Sequence, residues 1–251
     1  MRKPFLVLVL FCLTTALATA QAVPASVCEV HINKVKPGMA AQYESGRAKH
    51  MAWHKSQSDT WSWQTWEITT GENTGNYLIA SCGHTWKDFD AREKFNVADS
   101  ANANATMGNT LAGETMTYYT VRPDLGPPSK TTTTPAYLSV IYFHLKPEGI
   151  AEFNDSVKKI TSAMSKVDDR PSTWYSLANG GRSPEVVLVQ ERKSIGDLAS
   201  TSPKTMEQVL QEAYGDQGAA ILSSVRKGYY SSNSELLHFR PDLSYMAPAA
   251  K

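Results

Sequence analysis

Apolar residues recur along the chain with two periods, and each period predicts one type of element. Between positions 150 and 164 they recur every three or four residues, which places them on one face of a helix that can cover a sheet. Between positions 61 and 69 apolar and polar residues alternate and several are aromatic, as is typical of a strand. Together these periods predict the order strand, helix, two strands, helix, strand, followed by the same order again.

Turn signals set the bounds of the predicted elements. Lys36, Pro37 and Gly38 separate the first strand from the first helix, and Asp59 with Thr60 ends that helix. The first set is predicted at residues 28–35 (strand), 39–56 (helix), 61–69 and 77–83 (strands), 86–112 (helix) and 115–121 (strand). The second set is predicted at residues 138–145 (strand), 150–167 (helix), 173–177 and 186–191 (strands), 205–225 (helix) and 235–239 (strand).

The two sets are copies of one repeat. Val-Lys-Pro-Gly at 35–38 matches Leu-Lys-Pro-Glu at 145–148, and Val-Arg-Pro-Asp-Leu at 121–125 matches Phe-Arg-Pro-Asp-Leu at 239–243. The first match is offset by 110 positions and the second by 118, so the second copy carries about eight extra residues. The segment between the copies is rich in proline and threonine, as expected of an exposed linker. The predicted units are a first repeat at 21–125, a linker at 126–135, a second repeat at 136–245 and a tail at 246–251.

The first twenty residues have the features of a secretory signal peptide. Two basic residues precede an apolar run at 5–13, and small residues at 18 and 20 form a small-x-small cleavage site before Gln21. The alternative is a membrane anchor, but the run is short for a bilayer span and no later segment is apolar enough to cross one. We therefore expect residues 1–20 to be removed and the protein to be exported, to the periplasm or to the outside of the cell.

Charge and motifs narrow the function classes. The chain has 25 Lys and Arg residues against 24 Asp and Glu residues, and cleavage would leave 23 against 24. Such a balance lacks the basic surface that general nucleic-acid binding requires. The sequence also has no Gly-x-Gly-x-x-Gly, P-loop, Gly-x-Ser-x-Gly or Cys-x-x-Cys motif. It therefore gives no support to hydride transfer, nucleotide hydrolysis or serine-hydrolase chemistry.

The repeat resembles the split βαββαβ unit of ferredoxin-like folds. Its beginning, an apolar strand followed by Lys-Pro-Gly and a helix that carries Tyr43, resembles the dimeric α+β barrel superfamily, which includes antibiotic-biosynthesis monooxygenase and NIPSNAP-type domains. The resemblance extends from Val27 to Leu243. In that superfamily two sheets pack face to face and form an eight-stranded barrel. The resemblance therefore implies an α+β fold in which two tandem ferredoxin-like repeats form an intramolecular dimeric α+β barrel, as a monomeric pseudo-dimer or a homodimer.

Two cysteines remain after the predicted cleavage. From the sequence alone, Cys28 and Cys82 are either a disulfide, which an exported protein can form, or two buried thiols. In a ferredoxin-like sheet the first and third strands are antiparallel neighbours. The resemblance therefore implies that Cys28, near the start of one strand, lies close to Cys82, near the end of the other, within reach of a disulfide.

Histidine and tryptophan are concentrated in the first repeat. It holds four of the six histidines and five of the six tryptophans, so we expect the functional site there. The first helix shows the difference most clearly. At the offset of 110 positions, the apolar Val157 and Ile160 of the second repeat correspond to Arg47 and His50 of the first.

The stripe that would cover the sheet is polar in the first helix and consists of Tyr43, Arg47, His50 and His54. Burial of such groups without partners costs roughly 2–7 kcal/mol each on transfer scales, so they need partners, water or a ligand. One interpretation is a pocket between helix and sheet, with His50 and His54 as catalytic candidates and Tyr43 and Arg47 as ligand contacts. The other is a slightly rotated helix whose polar groups face solvent, with Ala48 and Met51 buried instead.

Further candidates lie outside this stripe. His50 and His54 have the spacing of metal ligands on adjacent helical turns, and His31 or His84 would complete a site if the fold brought them together. His84 is also a catalytic candidate, because imidazole titrates near neutrality and can transfer a proton. Trp63, Trp66 and Trp86 are candidate ligand contacts, and each is alternatively ordinary core.

These observations favour an exported small-molecule-binding protein with a His- and Trp-rich cavity in the first repeat. One alternative, which the superfamily resemblance implies, is a cofactor-independent monooxygenase-like enzyme that acts on an aromatic substrate. Another is a haem-binding protein with His50, His54 or His84 as the axial ligand, and a third is a metal-binding protein. The sequence leaves the cofactor unknown and predicts neither a nucleic-acid partner nor a membrane span.

Overall fold

The structure is a computed structural model that describes residues 26–168, 170–199 and 202–248. The predicted signal peptide and its cleavage position lie outside the described residues, as do the last three residues of the predicted tail. Within the described ranges, no helix combines the length and apolar character that a membrane span needs.

The described residues form eight strands and five α-helices in the order that the sequence predicts, with one helix divided. The first repeat contains β1 (Val27–Val35), α1 (Ala40–Ser56), β2 (Gln64–Ile68), β3 (Tyr77–His84), α2 (Trp86–Met107) and β4 (Leu111–Val121). The second contains β5 (Tyr137–Leu145), α3 (Ile150–Met164), β6 (Ser172–Asn179), β7 (Glu185–Arg192), α4 (Met206–Tyr214), α5 (Gln217–Gly228) and β8 (Tyr229–Phe239).

The predicted helix at 205–225 is two helices. Gly215 ends α4 with a φ of +56°, a conformation that side-chain-bearing residues rarely adopt, and the chain starts again in α5 two residues later. The predicted helix at 86–112 is shorter than expected, because α2 ends at Met107 and the following residues enter β4. The periodicity thus identifies the element types, and glycine conformation and strand pairing set their ends.

The eight strands form one closed barrel in the order β1-β3-β2-β8-β5-β7-β6-β4. Each repeat contributes a four-stranded antiparallel sheet of the ferredoxin-like kind. The two sheets join where β2 pairs with β8, with Trp66 opposite Phe239, and where β4 pairs with β6, with Thr120 opposite Ser176. The two repeats of one chain therefore complete the barrel, as the superfamily resemblance implies.

The barrel has an apolar interior and carries its helices on the outside. The interior core consists of Trp66, Ile68, Leu78, Val140, Val187 and Leu237, and a small cavity of about 140 Å³ remains within it. Outside, α3 covers the sheet of the second repeat with apolar side chains that include Phe153 and Val157, both almost fully buried. The corresponding layer of the first repeat is more polar.

Cys28 and Cys82 form a disulfide between β1 and β3, where they lie directly opposite each other in the antiparallel register. This is the arrangement that the resemblance implies. The disulfide links the two strands on the face of the sheet that lines the barrel interior.

Gly46 allows the two helices of the first repeat to approach each other closely. A Cβ atom at this position of α1 would overlap the carbonyl oxygen of Thr106 in α2. The contact brings the polar stripe of α1 next to the inner face of α2, where Asp99 lies. The backbone approach at Gly46 therefore helps to position the polar groups of the two helices relative to each other.

Candidate functional site

The polar stripe of α1 faces inward. At most 3% of the surface of each of its residues is exposed: Tyr43, Arg47, His50 and His54. Met51 is buried beside them, whereas Ala48 is exposed. The interpretation that a rotated helix turns these polar groups to solvent is therefore wrong, and the groups obtain partners in the interior.

A cavity of about 460 Å³ lies between the sheet of the first repeat and its two helices. Its apolar walls include Trp63, Ile79 and Met107. Its charged and imidazole groups come from four elements: Glu29 and His31 from β1, Arg47, His50 and His54 from α1, Asp99 from α2 and Glu114 from β4. The volume is in the range of pockets that hold small organic ligands.

Three side-chain atoms that can bind a metal ion converge in one corner of this cavity. Nε2 of His50 lies 3.2 Å from Nε2 of His54. Oδ1 of Asp99 lies 3.1 Å from the first nitrogen and 3.2 Å from the second. Both imidazoles are buried, and the side chain of Asp99 is 16% exposed. We call His50, His54 and Asp99 the three-ligand cluster.

The outer nitrogen of each imidazole also has a partner. Nδ1 of His54 lies 2.7 Å from Oδ2 of Asp59, and Nδ1 of His50 lies 2.9 Å from Oδ1 of Asn102. A carboxylate oxygen and an amide oxygen only accept hydrogen bonds, so both Nδ1 atoms carry the donated hydrogen. When a ring is neutral, its Nε2 presents a lone pair towards Asp99, and when the ring is protonated, Nε2 donates a hydrogen bond to Oδ1 of Asp99.

Asp59 is a buried carboxylate that five donors surround. Arg92 donates to both oxygens at 2.6 Å, the indole of Trp63 and the backbone of Trp61 donate at 3.1 Å, and His54 completes the set. The guanidinium of Arg92 in turn lies over the rings of Trp61, at 4.4 Å, and Phe95, at 4.1 Å. Burial acts to raise the pKa of Asp59, but the hydrogen bonds from His54 and Arg92 outweigh it and hold the pKa far below its usual range.

The electrostatics of the three-ligand cluster favour positive charge. Burial acts to raise the pKa of Asp99, yet the bonds to His50 and His54 hold it well below its ordinary value, so Asp99 is an anion. Burial acts to lower the pKa of His54, yet the bonds to Asp59 and Asp99 leave it raised. Arg92 lies 3.8 Å from Asp99 but is shared with Asp59. Two carboxylates thus share one arginine.

His31 lies between two carboxylates on the sheet wall of the cavity. Its Nε2 is 2.6 Å from Glu29 and its Nδ1 is 2.9 Å from Glu114. Burial acts to lower the pKa of His31, but the hydrogen bonds to Glu114 and Glu29 raise it to about 9. His31 is therefore a cation at neutral pH and donates to both glutamates.

Arg47 brings a buried guanidinium to the same cavity. Its Nε donates to Oγ1 of Thr65 at 3.1 Å and to the carbonyl of Leu243 at 3.3 Å. Its Nη2 is buried and has no hydrogen-bond partner among the described residues. Burial lowers the pKa of this guanidinium. An anionic group in the cavity would accept a hydrogen bond from the unpaired Nη2 and would compensate the buried positive charge of the guanidinium.

Other sequence candidates lie away from this cavity. Tyr43 is in the adjoining core, where its hydroxyl accepts a bond of 3.1 Å from Asn33, and Trp66 faces the barrel interior. Trp86, the first residue of α2, is 48% exposed and contacts the ring of Tyr118 in β4. His84 stacks on Trp61 with ring centres 3.5 Å apart. Of the tryptophan candidates, only Trp63 lines the cavity.

His84 has a structural environment. Its Nε2 lies 2.7 Å from the hydroxyl of Ser81, and burial lowers its pKa. The next residues, Thr85 and Asp88, cap the start of α2 through reciprocal hydrogen bonds. His84 is not among the described residues that line the cavity, and Asp99 rather than His84 or His31 joins the histidine pair.

Sequence reasoning missed the carboxylates and amides of the site: Asp59, Asp99, Asn102, Glu29 and Glu114. In the sequence, Asp59 has only the pattern of a helix end. A signal for Asp99 is present in α2, because Arg92 and Asp99 are seven positions apart and share a helical face. This polar face is the counterpart of the one on α1.

The candidate histidines do not fit haem. A porphyrin occupies four positions in a plane around its iron, so a protein ligand must approach along the axis. The Nε2 atoms of His50 and His54 lie 3.2 Å apart and face the same carboxylate, so a porphyrin bound to one ring would collide with the other. His84 is enclosed by Trp61 and Ser81.

The comparisons with known proteins bear on the fold. No sequence-family model matches the chain, and no curated protein sequence matches it. Among solved structures, the chain is similar to a candidate monooxygenase from Lactobacillus acidophilus, with a TM-score of 0.56 and 10% identity over 90% of this chain and 98% of that one. A candidate monooxygenase from Fusobacterium nucleatum gives a TM-score of 0.58 and 12% identity over 87% and 94% of the two chains.

A mutant chlorite dismutase from Candidatus Nitrospira defluvii is also similar. Its TM-score is 0.52 and its identity is 10% over 86% of this chain and 92% of that one. Identities this low establish the fold and not the activity. The chain therefore has the dimeric α+β barrel fold, with both halves of the barrel supplied by one polypeptide.

Proposed function

We propose that the protein is an exported small-molecule-binding protein whose ligand occupies the cavity of the first repeat. One observation carries the proposal: a cavity of about 460 Å³ is lined by charged and imidazole groups from four elements. The corresponding layer of the second repeat is filled by Phe153 and Val157. Two halves with the same fold thus differ where a ligand would bind.

The lining indicates the chemistry of the ligand. The buried Nη2 of Arg47 needs an acceptor, and a carboxylate is the group that guanidinium binds best in a desolvated site. Trp63, Ile79 and Met107 offer apolar contacts to a planar ring system. We infer a small organic acid with an aromatic or otherwise planar apolar part.

Export is part of the proposal. It is supported by the basic and apolar pattern of the first twenty residues and by the disulfide between Cys28 and Cys82, a bond typical of oxidising compartments. We further propose that one chain suffices for the fold, because each described strand of the barrel pairs on both sides within the chain.

Fluorescence titration tests the ligand class. We expect benzoate or naphthoate to change the tryptophan emission of the purified protein at saturation, since Trp63 lines the cavity, and the neutral benzamide to bind more weakly. Arg47→Met should weaken carboxylate binding by about 10-fold or more, because hydrogen bonds to charged groups contribute about 1.5–3 kcal/mol. Equal affinities of the native protein and this variant for benzoate would contradict the proposal.

A control separates binding from folding in this experiment. The carbonyl of Leu243 still accepts from the hydroxyl of Thr65, at 2.7 Å, when Arg47 is replaced. We therefore expect the free energy of unfolding of Arg47→Met to change by less than about 1 kcal/mol. The matched arginine variant is Arg122→Met, since Arg122 pairs with the exposed Asp124 and should leave benzoate affinity unchanged.

A second candidate function is an enzyme that acts on an aromatic ligand in the same cavity, as the resemblance to cofactor-independent monooxygenases suggests. The observation that favours it is His31, a cation at neutral pH that lines the cavity and can deliver a proton. Oxygen uptake by the purified protein with phenolic substrates tests this candidate. Turnover that is lost in His31→Gln would support an enzyme, and no oxygen uptake with any such substrate would favour a binding protein.

A further inference from the structure

The three-ligand cluster has the dimensions of a metal site. Metal–ligand bonds of about 2.1 Å at angles between tetrahedral and octahedral values place neighbouring ligand atoms about 3.0–3.4 Å apart. The three distances between Nε2 of His50, Nε2 of His54 and Oδ1 of Asp99 are 3.1, 3.2 and 3.2 Å. One ion can therefore contact all three atoms without movement of the backbone.

The positions of the hydrogen atoms also favour a cation at the centre of the cluster. Asp59 fixes the hydrogen of His54 on Nδ1, and Oδ1 of Asn102 does the same for His50. The two neutral rings and the carboxylate of Asp99 then direct only lone pairs at one another. A single proton on one Nε2 serves only one donor bond to Asp99 or to the other ring, and protons on both would create two imidazolium ions with these nitrogens 3.2 Å apart. A divalent cation at the centre satisfies all three groups at once.

The hydrogen-bond acceptors of the two Nδ1 atoms are of the kind that metal-binding histidines in proteins usually have. A ligating histidine almost always donates its second ring N–H to a carboxylate or carbonyl oxygen, which fixes the ring and increases its basicity. Asp59 serves His54 in this way and is itself held by Arg92 and Trp63. Asn102 serves His50 from α2. Hydrogen bonds at Nδ1 thus orient both rings in the structure without an ion.

We propose that His50, His54 and Asp99 bind one divalent transition-metal ion, of the class of Zn²⁺ or Fe²⁺. Two imidazoles and one carboxylate suit these ions, whereas Mg²⁺ and Ca²⁺ prefer oxygen ligands. Three protein ligands leave at least one coordination position, and the cluster lies on the cavity wall. That open position faces the space assigned to the ligand, so a water molecule or an acidic group of the ligand can complete the coordination.

Calorimetric titration of the full chain with zinc chloride, after removal of bound metal with a chelator, tests the site. We expect one equivalent of Zn²⁺ to bind the native protein. Asp99→Asn should weaken the affinity by about 100-fold or more, since it removes a charged ligand while keeping the side-chain shape. Asn102→Ala, which removes only an outer partner, should weaken it by about 10-fold. Asp90→Asn is the matched control, because this exposed carboxylate on the same helix does not line the cavity.

Cobalt gives an independent readout. Co²⁺ in the native protein should produce visible absorption bands that are lost in Asp99→Asn. The proposal is overturned if native protein and Asp99→Asn bind Zn²⁺ equally well, or if the stoichiometry is below one equivalent while both proteins are folded by circular dichroism. The benzoate titration with metal-free protein is scored separately, so failure of the metal site is distinguishable from failure of the proposed ligand site.

Discussion

His54 and Asp59 are joined by a hydrogen bond of 2.7 Å, in which Nδ1 of the imidazole donates to Oδ2 of the carboxylate. The bond crosses from the last turn of α1 to the segment that follows it, and both side chains are almost fully buried. It determines which nitrogen of His54 faces the cavity. The orientation of the His54 ring in the cavity wall therefore depends on Asp59, which does not itself line the cavity.

Asp59→Asn should destabilise the protein strongly. The amide cannot satisfy five donors, and it leaves the buried guanidinium of Arg92 without its closer ion-pair partner, so that only Asp99 at 3.8 Å remains. Loss of one partner of a buried ion pair typically costs about 3–5 kcal/mol. Urea denaturation measures the change. In Asp124→Asn, the control, a half-exposed pair with Arg122 is removed, and we expect a loss below about 1 kcal/mol. Similar losses in both variants would contradict the role given to Asp59.

Gly46→Ala should destabilise the protein although alanine favours helices. The added methyl group overlaps the carbonyl of Thr106 and pushes α1 and α2 apart, and overpacking of this kind costs about 1–3 kcal/mol. Thermal unfolding measures the effect, and zinc titration should show weaker binding because Asp99 moves away from the histidines. Gly113→Ala is the control, because no atom lies within 4 Å of its added Cβ. A more stable Gly46→Ala protein would refute the close approach.

His31 should make stability depend on alkaline pH. Its pKa in the folded protein is about 9, above the ordinary value of 6.5, because the bonds to Glu114 and Glu29 outweigh burial. A group whose pKa is raised on folding stabilises the protein fully below the unfolded pKa. We therefore expect this contribution, up to about 3 kcal/mol, to be present below pH 6.5 and lost as the pH rises through 9.

The pH dependence is isolated by a difference measurement. Unfolding free energies of the native protein and His31→Gln should differ most near pH 6 and converge above pH 10. A constant difference across this range would show that the imidazolium and the two glutamates do not interact as described.

Removal of the disulfide should destabilise the protein without changing its topology. The cysteines are 54 positions apart, and loop-closure entropy gives about 4 kcal/mol for a loop of this length. The double variant Cys28→Ser, Cys82→Ser should unfold at a correspondingly lower urea concentration. The mass of the unreduced native protein should be lower than that of the reduced protein by two hydrogen atoms, and equal masses would exclude the bond.

The fold could be predicted from the sequence because its signals are local. The Lys-Pro turns, the apolar period of α3 and the two Arg-Pro-Asp-Leu segments are each read within a few residues. Comparison of the repeats also identified the polar stripe of α1, since Arg47 and His50 stand where Val157 and Ile160 stand in α3. These predictions need no knowledge of distant contacts.

The rest of the site could not be predicted because it depends on distant contacts. Asp99 meets His50 and His54 only after α2 packs against α1. Asp59 has the sequence pattern of a helix terminator, and its burial results from Arg92, which lies 33 positions later. Trp66 and Trp86 have the same residue type as Trp63 but face the barrel interior and the outer surface.

The closed barrel within one polypeptide has a consequence for divergence. In a homodimer both halves of the barrel carry every substitution. Polar substitutions that create a binding site on one helix therefore weaken the apolar packing of both halves. Here the two halves are encoded separately. The second half can keep the apolar layer of Phe153 and Val157, which stabilises the fold. In the first half, polar residues that can bind a ligand replace that layer. The joined barrel is therefore expected to carry one site per molecule, where a symmetric homodimer would carry two.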